Sequence, residues 1–220
     1  MPGFLPLEAL ARRLPALPAS CGPVRLVGVD GHAGSGKTTC ARQLADSSAD
    51  KNADKNSVPV LHLDDVAAHD ALFDWTARLS SQVLRPLEQG RMARYDIYDW
   101  VAGAYTAQAE LAPAPVVLVE GVGAGRAALR PYLAALLWMD MPAAKAWQRG
   151  RHRDGAAQRD FWARWIPAER AHFAADPSRP FADFLVRETD EHHGRYEVRE
   201  GPAGTQASPE NMTLRTARGG

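Results

Sequence analysis

Only two cysteines, Cys21 and Cys40, occur in 220 residues. Their spacing suits neither a metal cage nor a disulfide framework, which excludes small stapled scaffolds and implies a reducing, cytoplasmic setting. Lysine is nearly as scarce, at Lys37, Lys51, Lys55 and Lys145 only, so arginine carries most of the positive charge. Acids and bases balance to zero net charge. Without a basic excess, a general nucleic-acid binder is excluded. No apolar run approaches the ~20 residues of a membrane span. Glu8, Arg12 and Arg13 interrupt the N-terminal segment, and Leu7, Leu10, Ala11 and Leu14 mark one face of a short amphipathic helix there, not a signal peptide.

Against those absences stands an unbroken G-x-x-x-x-G-K-[ST] loop, Gly31-His32-Ala33-Gly34-Ser35-Gly36-Lys37-Thr38, continued by Thr39. An apolar strand, Arg25–Asp30, runs into it, and a helix over Thr38–Ser47 is expected to follow. Glycines let such a loop curl so that successive N–H groups point inward at phosphate oxygens. The helix N-terminus adds partial positive charge at the same place. In this arrangement Lys37 reaches the β- and γ-phosphates of a nucleoside triphosphate, and the Thr38 hydroxyl ligates Mg²⁺.

Strand and helix signals alternate along the chain, which implies an α/β fold of the P-loop NTPase type: a doubly wound, mainly parallel sheet with helices on both faces. Further strands are expected at Val58–Leu63, Val116–Glu120, Leu136–Met139 and, more weakly, Asp183–Val186. Helices are expected over Ala71–Gln89, Arg126–Ala134, Ala143–Arg151 and Phe161–Ala174. The aromatic stripe of the last, Phe161, Trp162, Trp165 and Phe173, reads as core. One domain is expected over 1–199, with a flexible polar excursion at 46–57, a lid near 149–160, and a disordered tail at 200–220. His192 and His193, beside Asp190 and Glu191, read as a solvated stretch in preference to a metal site.

Phosphoryl transfer needs charge neutralisation and alignment more than covalent chemistry. Glu120, at the carboxyl end of Val116–Val119, faces the crevice where such sheets bind ligands and is the candidate metal acid. Asp64, with Asp65 beside it, ends another strand at the same edge and is the candidate base for an acceptor hydroxyl; the sequence leaves open which of the pair acts. Arg149, Arg151 and Arg153 follow a helix, with Gly150 and Gly155 allowing movement, and suit a clamp on phosphate oxygens. The segment from Arg91 to Trp100 mixes arginines, aromatics and acids in a way that suits a polar acceptor.

Taken together, several segments resemble the uridine kinase group of P-loop kinases, in particular its short actinobacterial-type members. They are Val29–Thr39, Leu61-His62-Leu63-Asp64-Asp65, Arg94-Tyr95-Asp96-Ile97-Tyr98-Asp99-Trp100, Val119–Gly125 and Arg149–Asp154, in family order across roughly residues 24 to 195. The resemblance implies ATP and Mg²⁺ as cofactors, Asp64 as base, Thr38 and Glu120 at the metal, and Arg149 and Arg153 in an arginine lid. It places Arg94, Tyr98 and Asp99, with Asp64, around the acceptor. It implies transfer of the γ-phosphoryl group to a hydroxyl of a small metabolite, with a uridine- or cytidine-like nucleoside leading. A sugar or cofactor-precursor kinase, and a non-kinase ATP-dependent switch, remain the alternatives, and a homodimer is left open. One departure matters: where the family continues to a histidine and an arginine that hold the nucleoside, this chain has Gly103, Ala104 and Tyr105. Loss of a polar reader changes specificity.

Overall fold

The computed structural model describes residues 4–48, 58–189 and 194–206. The chain begins with β1 (Leu5–Pro6), α1 (Leu7–Ala11), β2 (Arg25–Asp30), α2 (Lys37–Ser48), β3 (Val60–His62) and α3 (Leu63–Val66). A helical stretch follows as α4 (Thr76–Leu79), a π turn (Ser80–Leu84) and α5 (Arg85–Glu88). Then come β4 (Ala93–Asp99), β5 (Ala104–Leu111), β6 (Val116–Glu120), β7 (Leu133–Met139), α6 (Ala143–Asp154) and α7 (Arg159–Ala175). The chain closes with β8 (Phe184–Glu188), β9 (Tyr196–Glu200) and α8 (Pro202–Gln206).

Seven strands form one sheet in the order β1-β9-β8-β7-β2-β6-β3. The five strands from β3 to β8 run parallel, and β9 and β1 close the edge antiparallel. Side chains of a strand alternate between faces, and here both faces are covered. Leu26, Val117 and Val119 join a core with Trp75, Leu79, Val83 and Leu87 on one side. Val27, Val29, Val116 and Leu118 join α1 and α2 on the other, through Leu10, Cys40 and Leu44. This is why β2 and β6 read as nearly continuous apolar runs. The aromatic stripe of α7 is core, as expected: Trp162 and Trp165 pack with Trp147 of α6. Among the described residues, no helix is long and apolar enough to cross a membrane.

Three expectations need correction, and one element was not anticipated. Residues 126–134 are not a helix; turns and a short 3-10 segment (Arg130–Tyr132) lead into β7 at Leu133. Of this run only Leu133 pairs with β2, and Pro131, lacking an N–H, interrupts a helix before it. Ala71–Gln89 starts late and widens into a π turn just before Pro86, which has no N–H to continue the ladder. The segment from Arg91 onward is a β-hairpin, β4 paired with β5 in a sheet of its own, turning at Gly103 with φ +68°. Finally, Glu200 ends β9 and residues 202–206 are helical, so the chain stays folded further than expected. Of the flexible excursion, Asp46–Ser48 belong to α2. Residues 49–57, the His192–His193 stretch and residues 207–220 lie outside the described residues.

Candidate active site at the carboxyl edge of the sheet

Parallel strands end their carboxyl termini at one edge, and β2, β3 and β6 deliver Asp30, His62 and Glu120 there. The phosphate-type loop leaves β2 directly. Its glycines at 31, 34 and 36 have φ of +149°, +85° and +93°, backbone that a side chain disfavours. Asp30 is fully buried and clamps the loop's entrance. Its Oδ1 accepts from Gly31 and Gly123 N–H (2.7 and 2.9 Å), and its Oδ2 from Gly125 N–H (2.9 Å). Gly34 lies so close to α6 that a Cβ would stand 2.1 Å from the Ala146 carbonyl oxygen and 2.8 Å from Gly150 N.

That contact yields a sharp expectation. Gly34→Ala combines left-handed backbone strain with a clash against backbone atoms that cannot swing away, and should cost at least ~2 kcal/mol of stability. Gly90→Ala is the control: its φ is +67°, but the nearest atom, Pro23 Cγ, is 3.6 Å away. It should cost about 1 kcal/mol. Urea titration of the two variants measures the difference, and equal midpoints would refute the packing argument.

Lys37, the first residue of α2, is buried, and its Nζ donates to the His32 carbonyl at 3.0 Å. The Thr38 hydroxyl donates to Glu120 Oε1 (2.9 Å), and His62 Nδ1 lies 2.6 Å from that same oxygen. Burial raises the Glu120 pKa, but the His62 hydrogen bond, the Lys37 charge and the Thr38 hydroxyl outweigh it and hold the carboxyl below its ordinary range. His62 is correspondingly raised, chiefly by its bond to Glu120. Asp64, on the first turn of α3, is exposed. Its pKa is raised, first by desolvation and then by the charge of Glu120, with Lys37 opposing. Contact with solvent screens that shift. Asp65 is also raised by desolvation; its charged neighbours are His62 and Glu120, whereas Lys37 bears on Asp64.

Arg149 and Arg153, expected in a lid, sit one turn apart on α6 and so share a face. The Arg149 guanidinium stands 3.9 Å from where a Cβ on Gly36 would be, and its Nη1 pairs with Glu188. Arg153 pairs with Asp154 at 2.6 Å, which with the Asp64 charge raises its pKa. Arg151 points elsewhere, into an open depression of about 540 Å³ lined also by His152, Arg159 and Trp162. Gly150 is no hinge. It is buried within the unbroken α6, and a Cβ there would meet Trp162 at 2.4 Å. The backbone break comes at Gly155, with φ +72° and nothing within 4 Å of an added Cβ.

The hairpin packs on α3. Trp100 Nε1 donates to the Asp64 carbonyl (3.0 Å) and the Tyr105 hydroxyl to that of Val66 (2.9 Å). The Tyr98 hydroxyl lies 2.8 Å from His69 Nδ1, within a ring cluster of His69, Tyr98, Trp100 and Tyr105. Arg94 is not brought here. It is 74% exposed and pairs with Glu110 across the hairpin. The Asp99 carboxylate shapes the turn, Oδ1 accepting from Val101 and Ala102 N–H at 2.8 and 2.9 Å, and these bonds lower its pKa.

Sequence reasoning did not single out Asp30, His62 or Glu169 as site residues. The first two lay inside quoted motifs, where a buried acid before the loop and a histidine one strand from Glu120 were the available signals. Glu169 carried no local signal.

The donor set suits a hard divalent cation. Thr38 and Glu120 offer oxygen, with Asp64 close enough for its charge to act on the same ground. Among the described residues, no group of three or more His, Cys, Asp or Glu forms a cage.

The chain matches no protein-family model and no curated protein. Among solved structures it is similar to a protein described as a possible uridine kinase from Bacillus stearothermophilus, at 20% identity and TM-score 0.52, over 71% of this chain and 89% of that one. A second, described as a fructose transport system kinase from Silicibacter sp. TM1040, has 20% identity and TM-score 0.54, over 68% and 81%. The chain shares the α/β fold of these two structures, a mainly parallel sheet covered by helices. At such identity the likeness speaks for the fold alone.

Proposed function

We propose that the protein is an ATP-dependent phosphotransferase that moves a γ-phosphoryl group to a hydroxyl of a small metabolite. The observation that carries this is the convergence of Lys37, Thr38, Glu120 and Asp64 beside the loop, with Arg149 and Arg153 on the helix above. The loop amides of Gly34 to Thr39 bind phosphate oxygens, and Lys37 leaves the His32 carbonyl for the β- and γ-phosphates. Thr38 and Glu120 would hold Mg²⁺, which would neutralise charge on the transferring group. His62 keeps Glu120 ionised and oriented. Asp64 accepts the proton of the acceptor hydroxyl or orients it. Arg149 and Arg153 exchange Glu188 and Asp154 for phosphate oxygens, adding charge where it develops.

A nucleoside is the leading acceptor, stacked beside Tyr98 and Trp100. Another hydroxylated metabolite, such as a sugar, is the second reading, and a specific observation favours it. At the positions where a nucleoside reader would stand, Gly103 has no side chain and the Tyr105 hydroxyl is committed to the Val66 carbonyl. A panel of nucleosides, hexoses and cofactor precursors, assayed by acceptor-dependent ATP consumption, separates the two. One member should raise turnover at least about 100-fold over the water reaction. If none does, and a protein partner does, the chain is an ATP-driven switch and the kinase reading fails.

A further inference from the structure

Glu169 is a fully buried carboxylate that none of the steps above uses. It lies on α7, yet two of its partners belong to the phosphate-type loop. Oε1 is 2.7 Å from His32 Nδ1 and accepts from Trp147 Nε1 at 2.9 Å. Oε2 accepts from Ala33 N–H at 3.2 Å and Trp165 Nε1 at 2.6 Å. An ionised carboxylate survives burial only when its oxygens are satisfied, and here each has two partners. Burial pushes the Glu169 pKa up, but the His32 bond, the Lys37 charge and the indole N–H groups bring it below its ordinary value.

The partners divide in a telling way. Trp147 comes from α6, Trp165 from α7, and His32 and Ala33 from the loop's outer turn. The His32 ring is also boxed edge-on by Trp138, Trp147 and Phe173, with centroids 5.4, 5.7 and 5.1 Å away. Its carbonyl receives Lys37. A loop with three glycines has much conformational freedom to lose when it wraps a phosphate. A contact that removes this freedom beforehand strengthens binding without touching the ligand.

We propose that Glu169 is a positioning residue that holds the His32–Ala33 turn in its nucleotide-binding shape, joins it to α6 and α7, and thereby sets the affinity for the nucleotide. This rests on reading the loop as a nucleotide site. Glutamine cannot replace it. Whichever way the amide is turned, its NH₂ group faces an indole N–H, which has no acceptor to offer.

The test measures Kd for a non-hydrolysable ATP analogue, with Mg²⁺, and thermal stability for wild type, Glu169→Gln, His32→Phe, the double variant and Lys37→Ala. Glu169→Gln and His32→Phe should each raise Kd about 10-fold, with kcat at saturating nucleotide within about threefold of wild type, because uniform binding is lost and not transition-state binding. Their effects should be non-additive, as for two ends of one contact. His32→Phe leaves the carboxylate its other three partners and decides the matter if Glu169→Gln fails to fold. A lowered melting temperature with unchanged Kd in His32→Phe would make the contact structural only and overturn the proposal. Lys37→Ala separates this from the functional reading. If its Kd is also unchanged, the loop is not the nucleotide site; if its Kd rises while those of the Glu169 and His32 variants do not, only the positioning role falls.

Discussion

Lys37→Ala is expected to lower turnover at least about 100-fold, ~2.7 kcal/mol of transition-state stabilisation, and to weaken nucleotide binding as well. Lys37 is buried at the start of α2 and makes one hydrogen bond, to a neutral carbonyl. Its charge is otherwise answered at longer range by Glu120, Asp64 and Glu169, all three of which feel it. On the proposed function, a cation so placed balances acids until a triphosphate arrives and then transfers to the phosphates. Its removal also takes from those acids the cation they share. The variant should therefore lose stability above the pH at which they ionise, and lose less at acid pH, where they are protonated. Calorimetric binding of an ATP analogue and melting at two pH values test both halves. Unchanged affinity would mean that the loop holds no phosphate in this protein.

Asp64→Asn is expected to depress phosphoryl transfer by about 10² to 10⁴ while leaving nucleotide affinity within a few-fold of wild type. The raised pKa of Asp64 sets the direction of the pH dependence. The base works ionised, so activity falls as pH falls through that pKa, and the acid limb lies above the usual carboxylate range. Asparagine should remove that limb along with the rate. Stability moves the opposite way. A carboxyl whose folded pKa exceeds its unfolded value supports the fold when protonated, and that support is lost as pH rises through the folded value. Asp64 is exposed, however, so solvent screens this effect and Asp64→Asn should melt close to wild type. A variant that kept full turnover, or that retained the acid limb, would transfer the base role to Asp65.

The loop from Gly31 to Thr38 was legible because its function resides in backbone geometry that near neighbours encode. β2 and β6 were legible because strands covered on both faces need apolar residues at every position. Residues 126–134 were not, since the alanine- and leucine-rich composition suits a helix, whereas the run forms turns around Pro131 and reaches β7 only at Leu133. The hairpin carried a readable signal, alternation from Ala93 to Ile97 with a glycine at 103, but its charges and rings resembled a ligand surface more than a pair of strands. Arg94, counted with that surface, pairs instead with Glu110 on an exposed face.

From sequence alone came the P-loop NTPase class, the loop with its lysine and threonine, and the two acids Asp64 and Glu120 as candidates at strand ends. Tertiary structure alone decided that Asp30 clasps residues 93 and 95 positions away, that Glu169 reaches His32 across 137, and that Gly150 is a packing contact where a hinge was expected. The reason is one of range. Turn shape and strand burial are settled among neighbours in the chain, whereas a buried charge finds its partners only once the sheet order has brought distant segments together.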